Sequence, residues 1–436
     1  RAMIRELIAK RGYATVNENW YELIDTWQTW YRGKTDFHKY SVYNGKNRVA
    51  CQRKSLGMPK HMCEDKADLL LNEKVQIICE HQEFLDGILE QNSFRTRASE
   101  LVELMAASGT GAITQYLDNG EICLDFHSAE CIYPLKWRNR QITECLFVAH
   151  EGDNIRLQWH LKTATGYVVQ NELVDEDGNK IADDLVQDWH TTEPMFQILK
   201  LNKANNIEPK NPMGLSAFAN DIDKLKAIDI MYDSFVNEFD LGRKRIFVDG
   251  SLTHIDIESG QGGPVFDRND VVFYGVPELD GQKPITESNM ELRIEEHIQG
   301  IQMQLDMLGD SAGFGKGFYT FDGESVKTAT EVISQNSKLY KKKQKDEILL
   351  GDALRQMTRS ILELGGLTAE EITITFDDSI IEDTDAKANR ALLEYNAGII
   401  DRVEYYMRVY GYTEERALEL DRAIKSRTPE PAEVDW

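Results

Sequence analysis

Asn289-Met-Glu-Leu-Arg-Ile-Glu-Glu-His-Ile-Gln-Gly-Ile-Gln-Met-Gln-Leu-Asp-Met-Leu-Gly309 is the stretch from which the rest of the chain is read. Its apolar Ile294, Ile298, Ile301, Leu305 and Leu308 recur at alternating four- and three-residue steps, the spacing of one helical face. Glu295, Gln299, Gln302 and Asp306 recur at the same steps on the opposite stripe. One side of the helix is therefore apolar and the other acidic or amide. Residues 309–323 follow, with five glycines in Gly309-Asp-Ser-Ala-Gly-Phe-Gly-Lys-Gly-Phe-Tyr-Thr-Phe-Asp-Gly323, too many for regular structure. Ser325 then opens a second helix to about Leu364, roughly 60 Å long at about 1.5 Å per residue. Its middle, Lys341-Lys-Lys-Gln-Lys-Asp346, is almost wholly polar, so it reads as a strut, wet at its centre and apolar at both ends.

Upstream, Gly214 to Leu241 forms another amphipathic helix, with Phe218, Ile222, Leu225, Tyr232, Phe235 and Phe239 on one side. Between the two helices lies a β-rich insert, Arg243 to about Ser288. Its strands are expected at Arg245-Ile-Phe-Val248 and Val271-Val-Phe-Tyr274, punctuated by Gly260, Gly262, Gly263, Pro264, Pro277 and Pro284. The order is helix, small β module, helix, glycine loop, long helix.

That order resembles the portal proteins of tailed bacteriophages, in the siphophage gp6-type portal family. Local wording carries the likeness too: Ser55-Leu-Gly-Met-Pro-Lys-His-Met-Cys-Glu-Asp65 with Leu69-Leu-Leu-Asn-Glu-Lys74, Asn211-Pro-Met-Gly-Leu-Ser216, and Ala397-Gly-Ile-Ile400. It spans nearly the whole chain, through order and phrasing rather than one diagnostic motif. The resemblance implies a ring-forming α+β fold of wing, stem, clip and crown. Residues 1–213 would form the wing, 214–242 and 289–308 the two stem helices, and 243–288 the clip. Residues 309–324 would be a channel loop, 325–365 a long wing helix, and 366–436 a strand and helical crown. It also implies twelve copies around a channel at one capsid vertex, through which double-stranded DNA is packaged and ejected without sequence specificity. Implied partners are the terminase large subunit at the clip, a head-completion or adaptor protein, and the major capsid and scaffolding proteins. The implied location is the virion, after assembly in the host cytoplasm.

Within that frame, Glu295, Gln299, Gln302 and Asp306 are expected to line the channel, with Ile294, Ile298, Ile301 and Leu305 against the other stem helix. The resemblance gives the loop a DNA-contacting role: Gly313, Gly315 and Gly317 for mobility, Lys316, Phe314 and Phe318 for touching the duplex. A plain flexible connector is the other reading. The loop lacks the Pro-Asp start common in the family, which leaves its limits open. Arg243-Lys-Arg245, where stem should meet clip, is a basic cluster suited to a neighbour's carboxylates, and Lys341 to Lys343 reads as a solvated or intersubunit stretch.

Composition agrees. A chain of 436 residues, 41% hydrophobic and 28% charged, has the balance of a globular protein of two or more domains. It has no run of eighteen apolar residues to span a bilayer, and its start lacks the apolar core of a signal peptide. Because it opens on Arg1, the natural amino terminus is expected upstream. Six cysteines without a CxxC pair read as free thiols in a reducing cytoplasm. The net charge of −24 argues against a sequence-specific DNA-binding protein. It suits a conduit instead, since an acidic wall offers the phosphates no deep electrostatic well. Many acidic soluble proteins share such a charge, so the placement of the carboxylates decides between the two.

The remaining chain reads as short helices at Met3 to Ala9 and Asn17 to Trp30, the latter with a packing face of Trp20, Tyr21, Trp27 and Trp30. A strand pair follows from Tyr40 to Cys51, turning at Asn44-Gly45, and Pro59 suits the first turn of a helix to about Asn72. His61 and Cys63 diverge on that helix and make no metal site. Helices near 80–92 and 95–107 precede a β tract to about Leu201. That tract holds no Ser/His/Asp set, and His150, His160 and His190 read as satisfied core or surface groups. Gly313-Phe-Gly-Lys-Gly317 is no P-loop, because Gly317 stands where Ser or Thr is needed and no strand precedes it. Asp377, Asp378, Glu382, Asp383 and Asp385 lack EF-hand spacing and read as solvated, capping carboxylates. No catalytic residue, metal or cofactor is assigned. The tail, residues 366–436, has eight basic and seventeen acidic side chains in a strand and three helices, ending loosely. Other readings are an adaptor or other structural ring of a phage-derived particle, and a metal-dependent nucleic-acid enzyme using the 377–385 carboxylates.

Overall fold

The computed structural model describes residues 1–43, 45–72, 75–181, 189–241, 245–249, 254–255, 262–263, 273–276, 285–288, 291–320, 329–369, 371–376 and 384–425. The chain begins with α1 (Ala2–Lys10) and α2 (Glu18–Tyr31), whose Asn17 cap accepts the Asn19 N–H. The aromatic spacing of α2 does make a packing face. Trp20, Tyr21, Trp27 and Trp30 are buried, and the rings of Trp20 and Trp27 meet edge to face at 5.7 Å. The expected strand pair is β1 (Lys39–Tyr43) against β2 (Arg48–Gln52). Next come α3 (Met58–Leu70) with Pro59 in its first turn, β3 (Gln76–Cys79), α4 (Gln82–Gln91) and α5 (Phe94–Ser108).

The β tract forms two antiparallel sheets. Its strands are β4 (Gly111–Asp118), β5 (Glu121–Ser128), β6 (Ile132–Arg138), β7 (Gln141–Glu151), β8 (Asn154–Lys162), β9 (Tyr167–Val174), β10 (Trp189–Thr191) and β11 (Phe196–Leu199). One sheet runs β10-β9-β8-β7-β6, the other β11-β4-β5. A ring cluster joins them. His127 of β5 lies 4.9 Å from Phe147 of β7, and His160 of β8 lies 5.3 Å from Phe147 and 5.2 Å from Phe196 of β11. Burial depresses both imidazoles, His127 to about 4 and His160 to about 3, so both are neutral core groups.

The second half starts with α6 (Ile222–Leu241). The described strands of the insert are β12 (Arg245–Asp249), β13 (His254–Ile255), β14 (Gly262–Gly263), β15 (Phe273–Val276) and β16 (Ile285–Ser288). β12 is central, parallel to β15 and antiparallel to β16, while β13 pairs with β14. Then follow α7 (Ile294–Ala312), α8 (Ala329–Leu364), β17 (Ile372–Thr375), α9 (Thr384–Asn396), α10 (Arg402–Tyr410) and α11 (Glu414–Lys425). β17 crosses back to pair with β3, stitching the second half to the first. Arg243, Lys244, Asp377, Asp378, Glu382, Asp383 and the chain after Lys425 lie outside the described residues. Among the described residues, no helix is long and apolar enough to cross a membrane.

Three expectations about the helices need correction. The helix expected from Gly214 begins eight residues later, at Ile222, because residues 214–221 form turns packed against the end of α5, so Phe218 is buried ahead of the helix and not on its face. The polar middle of α8 is wet on one side only: Lys341, Gln344 and Lys345 are exposed, whereas Lys343, Asp346 and the adjoining Glu347 are buried. Lys343 pairs with Glu347 at 2.7 Å, and Asp346 accepts the Asn202 N–H at 2.8 Å while facing Lys66 of α3 at 3.6 Å. A charge paired inside the fold looks, in sequence, like one that is solvated. The glycine loop also starts later than its composition indicates, because α7 continues through Gly309 to Ala312. The Gly309 carbonyl accepts the N–H groups of Gly313, Phe314 and Gly315, and a Cβ on Gly309 would lie 2.6 Å from the Gly315 oxygen. This glycine permits a close approach instead of breaking the helix.

Candidate functional site

α6 and α7 run antiparallel, and polar contacts close both ends of the pair. At one end Ser311 donates to Asp221 at 2.6 Å, a carboxylate that also holds Lys224. At the other, Arg293 grips both oxygens of Glu238, at 3.0 and 2.8 Å, with His297 3.6 Å away. The Arg293 hydrogen bonds hold the Glu238 carboxyl at about 2, well below its ordinary range. Between the ends, Ile301, Leu305 and Leu308 of α7 are buried.

The root of α6 is fixed by buried carboxylates that sequence reasoning missed. Asp229 accepts from the Leu56 N–H at 2.9 Å and from the Ser55 hydroxyl, and its other oxygen lies 2.8 Å from His38 Nε2. One turn on, Asp233 accepts the Lys54 N–H at 2.9 Å. The signal was present: Asp221, Leu225, Asp229 and Asp233 recur at four-residue steps, placing three acids on one buried stripe. Gly214 explains the Asn211-to-Ser216 wording. Its N–H donates to Thr110 Oγ1 at 2.9 Å, and a Cβ there would lie 2.1 Å from the Gly109 oxygen. Lys203 donates to the carbonyls of Ala217 (2.9 Å) and Ser216 (3.3 Å), and burial lowers its pKa to about 8.

The residues expected in a channel divide into two sets. Glu295 and Gln299 are exposed. Gln302 and Asp306 instead hold the loop: Gln302 donates to the Tyr319 carbonyl at 2.8 Å, and Asp306 accepts the Gly317 N–H at 3.1 Å. The apolar stripe divides as well. Ile301 and Leu305 are covered, whereas Ile294 and Ile298 are 38% and 39% exposed, as are Met303 and Met307 to comparable or greater degree.

The loop is a compact plug. Phe314 was expected to touch a duplex, but its ring is 2% exposed. It stacks on Phe318 at 4.8 Å and lies 4.9 Å under the Lys66 ammonium, so in this conformation it is a core residue. Gly313, Gly315 and Gly317 adopt positive φ of 91°, 96° and 70°, which lets the backbone fold back onto α7. Lys316 and Phe318 remain exposed beside them. Arg245 begins β12.

No curated protein matches the chain. A chain of the neck of a native gene transfer agent particle, computed with C12 symmetry, is similar over 94% of this chain and 99% of its own, at 11% identity and a TM-score of 0.47. A chain from the virion of a native gene transfer agent particle is similar over 93% and 98%, at 11% identity and a TM-score of 0.46. The family described as phage portal protein, SPP1 Gp6-like, matches residues 13–427, nearly the full length. This chain therefore belongs to the SPP1 Gp6-like family of phage portal proteins.

Proposed function

We propose that twelve copies of this portal subunit close into a ring at one capsid vertex and that double-stranded DNA passes through its bore during packaging and ejection. The family match over residues 13–427 carries this reading. The exposed surface of the α6–α7 pair supports it. Ile230 and Phe239 of α6 and Ile294, Ile298, Met303 and Met307 of α7 are apolar and uncovered in the single chain. They fall on more than one side of the helix pair, where neighbouring copies on either flank of a ring would cover them.

In this reading residues 1–213 are wing, the α6–α7 pair is stem, the β12–β16 module is clip, and residues 366–436 are crown. Glu295 and Gln299 pave the bore, and the loop at 313–320 sits beside the DNA with Lys316 and Phe318 outward. A ring of such subunits multiplies a charge of −24 per chain, which keeps a sliding duplex from being gripped. The terminase large subunit docks at the clip. The head-completion protein binds the same end, and capsid and scaffolding proteins surround the wing. Native mass measurement of the purified chain tests the ring. A mass of twelve chains is expected, and a monomer at every concentration would overturn it.

A further inference from the structure

The hairpin β1–β2 has one apolar face. Val42 lies opposite Val49 and Tyr40 opposite Cys51, so these four share a side. Tyr40 and Cys51 are partly covered at the root, whereas Val42 and Val49 are 48% and 45% exposed. A lone two-stranded hairpin is marginal in water, and an uncovered apolar face makes it more so. Its charge is also unlike that of the rest of the chain. Residues 39–54 carry Lys39, Lys46, Arg48, Arg53 and Lys54 and no acidic side chain, in a protein of net charge −24.

A complementary surface lies at the other end of α3. An open cleft of about 1110 Å³ is lined by described residues of α3, β3, α4 and α5 and their flanks, Leu71, Ile78 and Leu89 among the apolar ones. Asp68, Asp86 and Glu90 are its exposed acids, with Arg95 the one cation among its described lining residues. The hairpin root adjoins the start of α3 and the cleft its end, about 20 Å apart along the helix. Among the described residues of one chain, Val42 and Val49 stay about half exposed.

We propose that the hairpin of one subunit docks in this cleft on a second copy of the chain, with Val42 and Val49 on the apolar lining and Lys46, at the turn, toward Asp86 and Glu90. Basic meets acidic and apolar meets apolar, which fixes both partner and register. The contact is heterologous, hairpin to cleft, the kind that closes rings. The proposal rests on the ring reading above and names one junction within it.

The test uses two full-length variants, Lys46→Glu with Val49→Asp in the hairpin, and Asp86→Lys with Glu90→Lys in the cleft. All four positions are exposed or rim a cleft, so far-UV dichroism and melting temperature should match the unaltered chain. Native mass spectrometry should show ring formation by each variant shifted to about a hundredfold higher concentration. Mixing the two should give a two-chain species, because one intact hairpin meets one intact cleft. Unchanged ring formation by the hairpin variant overturns the docking and leaves the ring reading standing. Intact rings with weakened, salt-dependent binding of a DNA duplex would make the hairpin a nucleic-acid contact, which also overturns it. An unaltered chain that never forms rings removes both readings.

Discussion

Replacing Phe314 by alanine should release the loop at 313–320 while leaving the rest of the chain folded. The ring is nearly fully buried, stacked on Phe318, edge-on to Tyr319 at 5.6 Å and capped by Lys66. Truncating such a phenylalanine costs about 3–5 kcal/mol, cavity included. Taking about 3 kcal/mol as the part borne by loop docking, the opening equilibrium rises by roughly two orders of magnitude, at about 1.4 kcal/mol per decade. Trypsin reports it directly, because Lys316 is exposed. In the docked loop, however, the Gly317 N–H and the Tyr319 carbonyl are tied to Asp306 and Gln302, so the peptide after Lys316 cannot extend into a protease. When opening and closing outpace cleavage, the cleavage rate follows the open fraction. Cleavage after Lys316 should therefore accelerate about a hundredfold in Phe314→Ala. It should accelerate less in Phe318→Ala, whose ring is already 40% exposed. Equal rates in the parent and Phe314→Ala would refute the docked-plug description.

Further outcomes follow from the buried groups. Asp229→Ala leaves His38, Ser55 and the Leu56 N–H without their shared acceptor and should cost about 3–5 kcal/mol in urea unfolding. Gly214→Ala forces a Cβ to 2.1 Å from the Gly109 carbonyl and should destabilise by more than about 3 kcal/mol. Gly300→Ala is its control: the nearest atom to a Cβ there is the flexible Met231 sulfur at 3.9 Å, so a gain of about 0.5–1 kcal/mol is expected from helix propensity. Acid should loosen the paired sheets before it titrates ordinary carboxylates. His127 and His160 stay neutral in the fold down to about 4 and 3, while the unfolded chain protonates near 6.5. The unfolded state thus binds more protons below pH 6.5, and stability falls as pH drops. Denaturant titrations at pH 7.5 and 5.5 should differ by about 3 kcal/mol for the two sites, and a double His→Gln variant should lose most of that difference.

The sequence showed α2, β1–β2, α3 to α5, the β tract and the α6–α7 pair because each carries its period on one face. It misled where polar residues were buried in pairs. Lys343 and Asp346 read as wet, since nothing local marks Lys66 and Asn202 as the partners of Asp346, and the i,i+4 pair of Lys343 with Glu347 looks the same in sequence whether buried or solvated. The loop misled in a similar way. Five glycines signalled freedom, but three of them let the backbone curl onto α7 and seat Phe314. Gln302 and Asp306 share a helical stripe with Glu295, and only the returning loop separates their roles. The apolar character of the hairpin could be read from Val42 and Val49, but that both stay about half exposed among the described residues could not.

Central to the account is a bore paved by Glu295 and Gln299 at the polar edge of α7. A reconstruction of the purified ring to side-chain detail measures this directly. It should show both side chains facing the lumen, Ile301 and Leu305 against α6, and Met303 and Met307 covered by a neighbouring copy. A lumen lined by Ile294 and Ile298, with Glu295 and Gln299 packed between subunits, would contradict it.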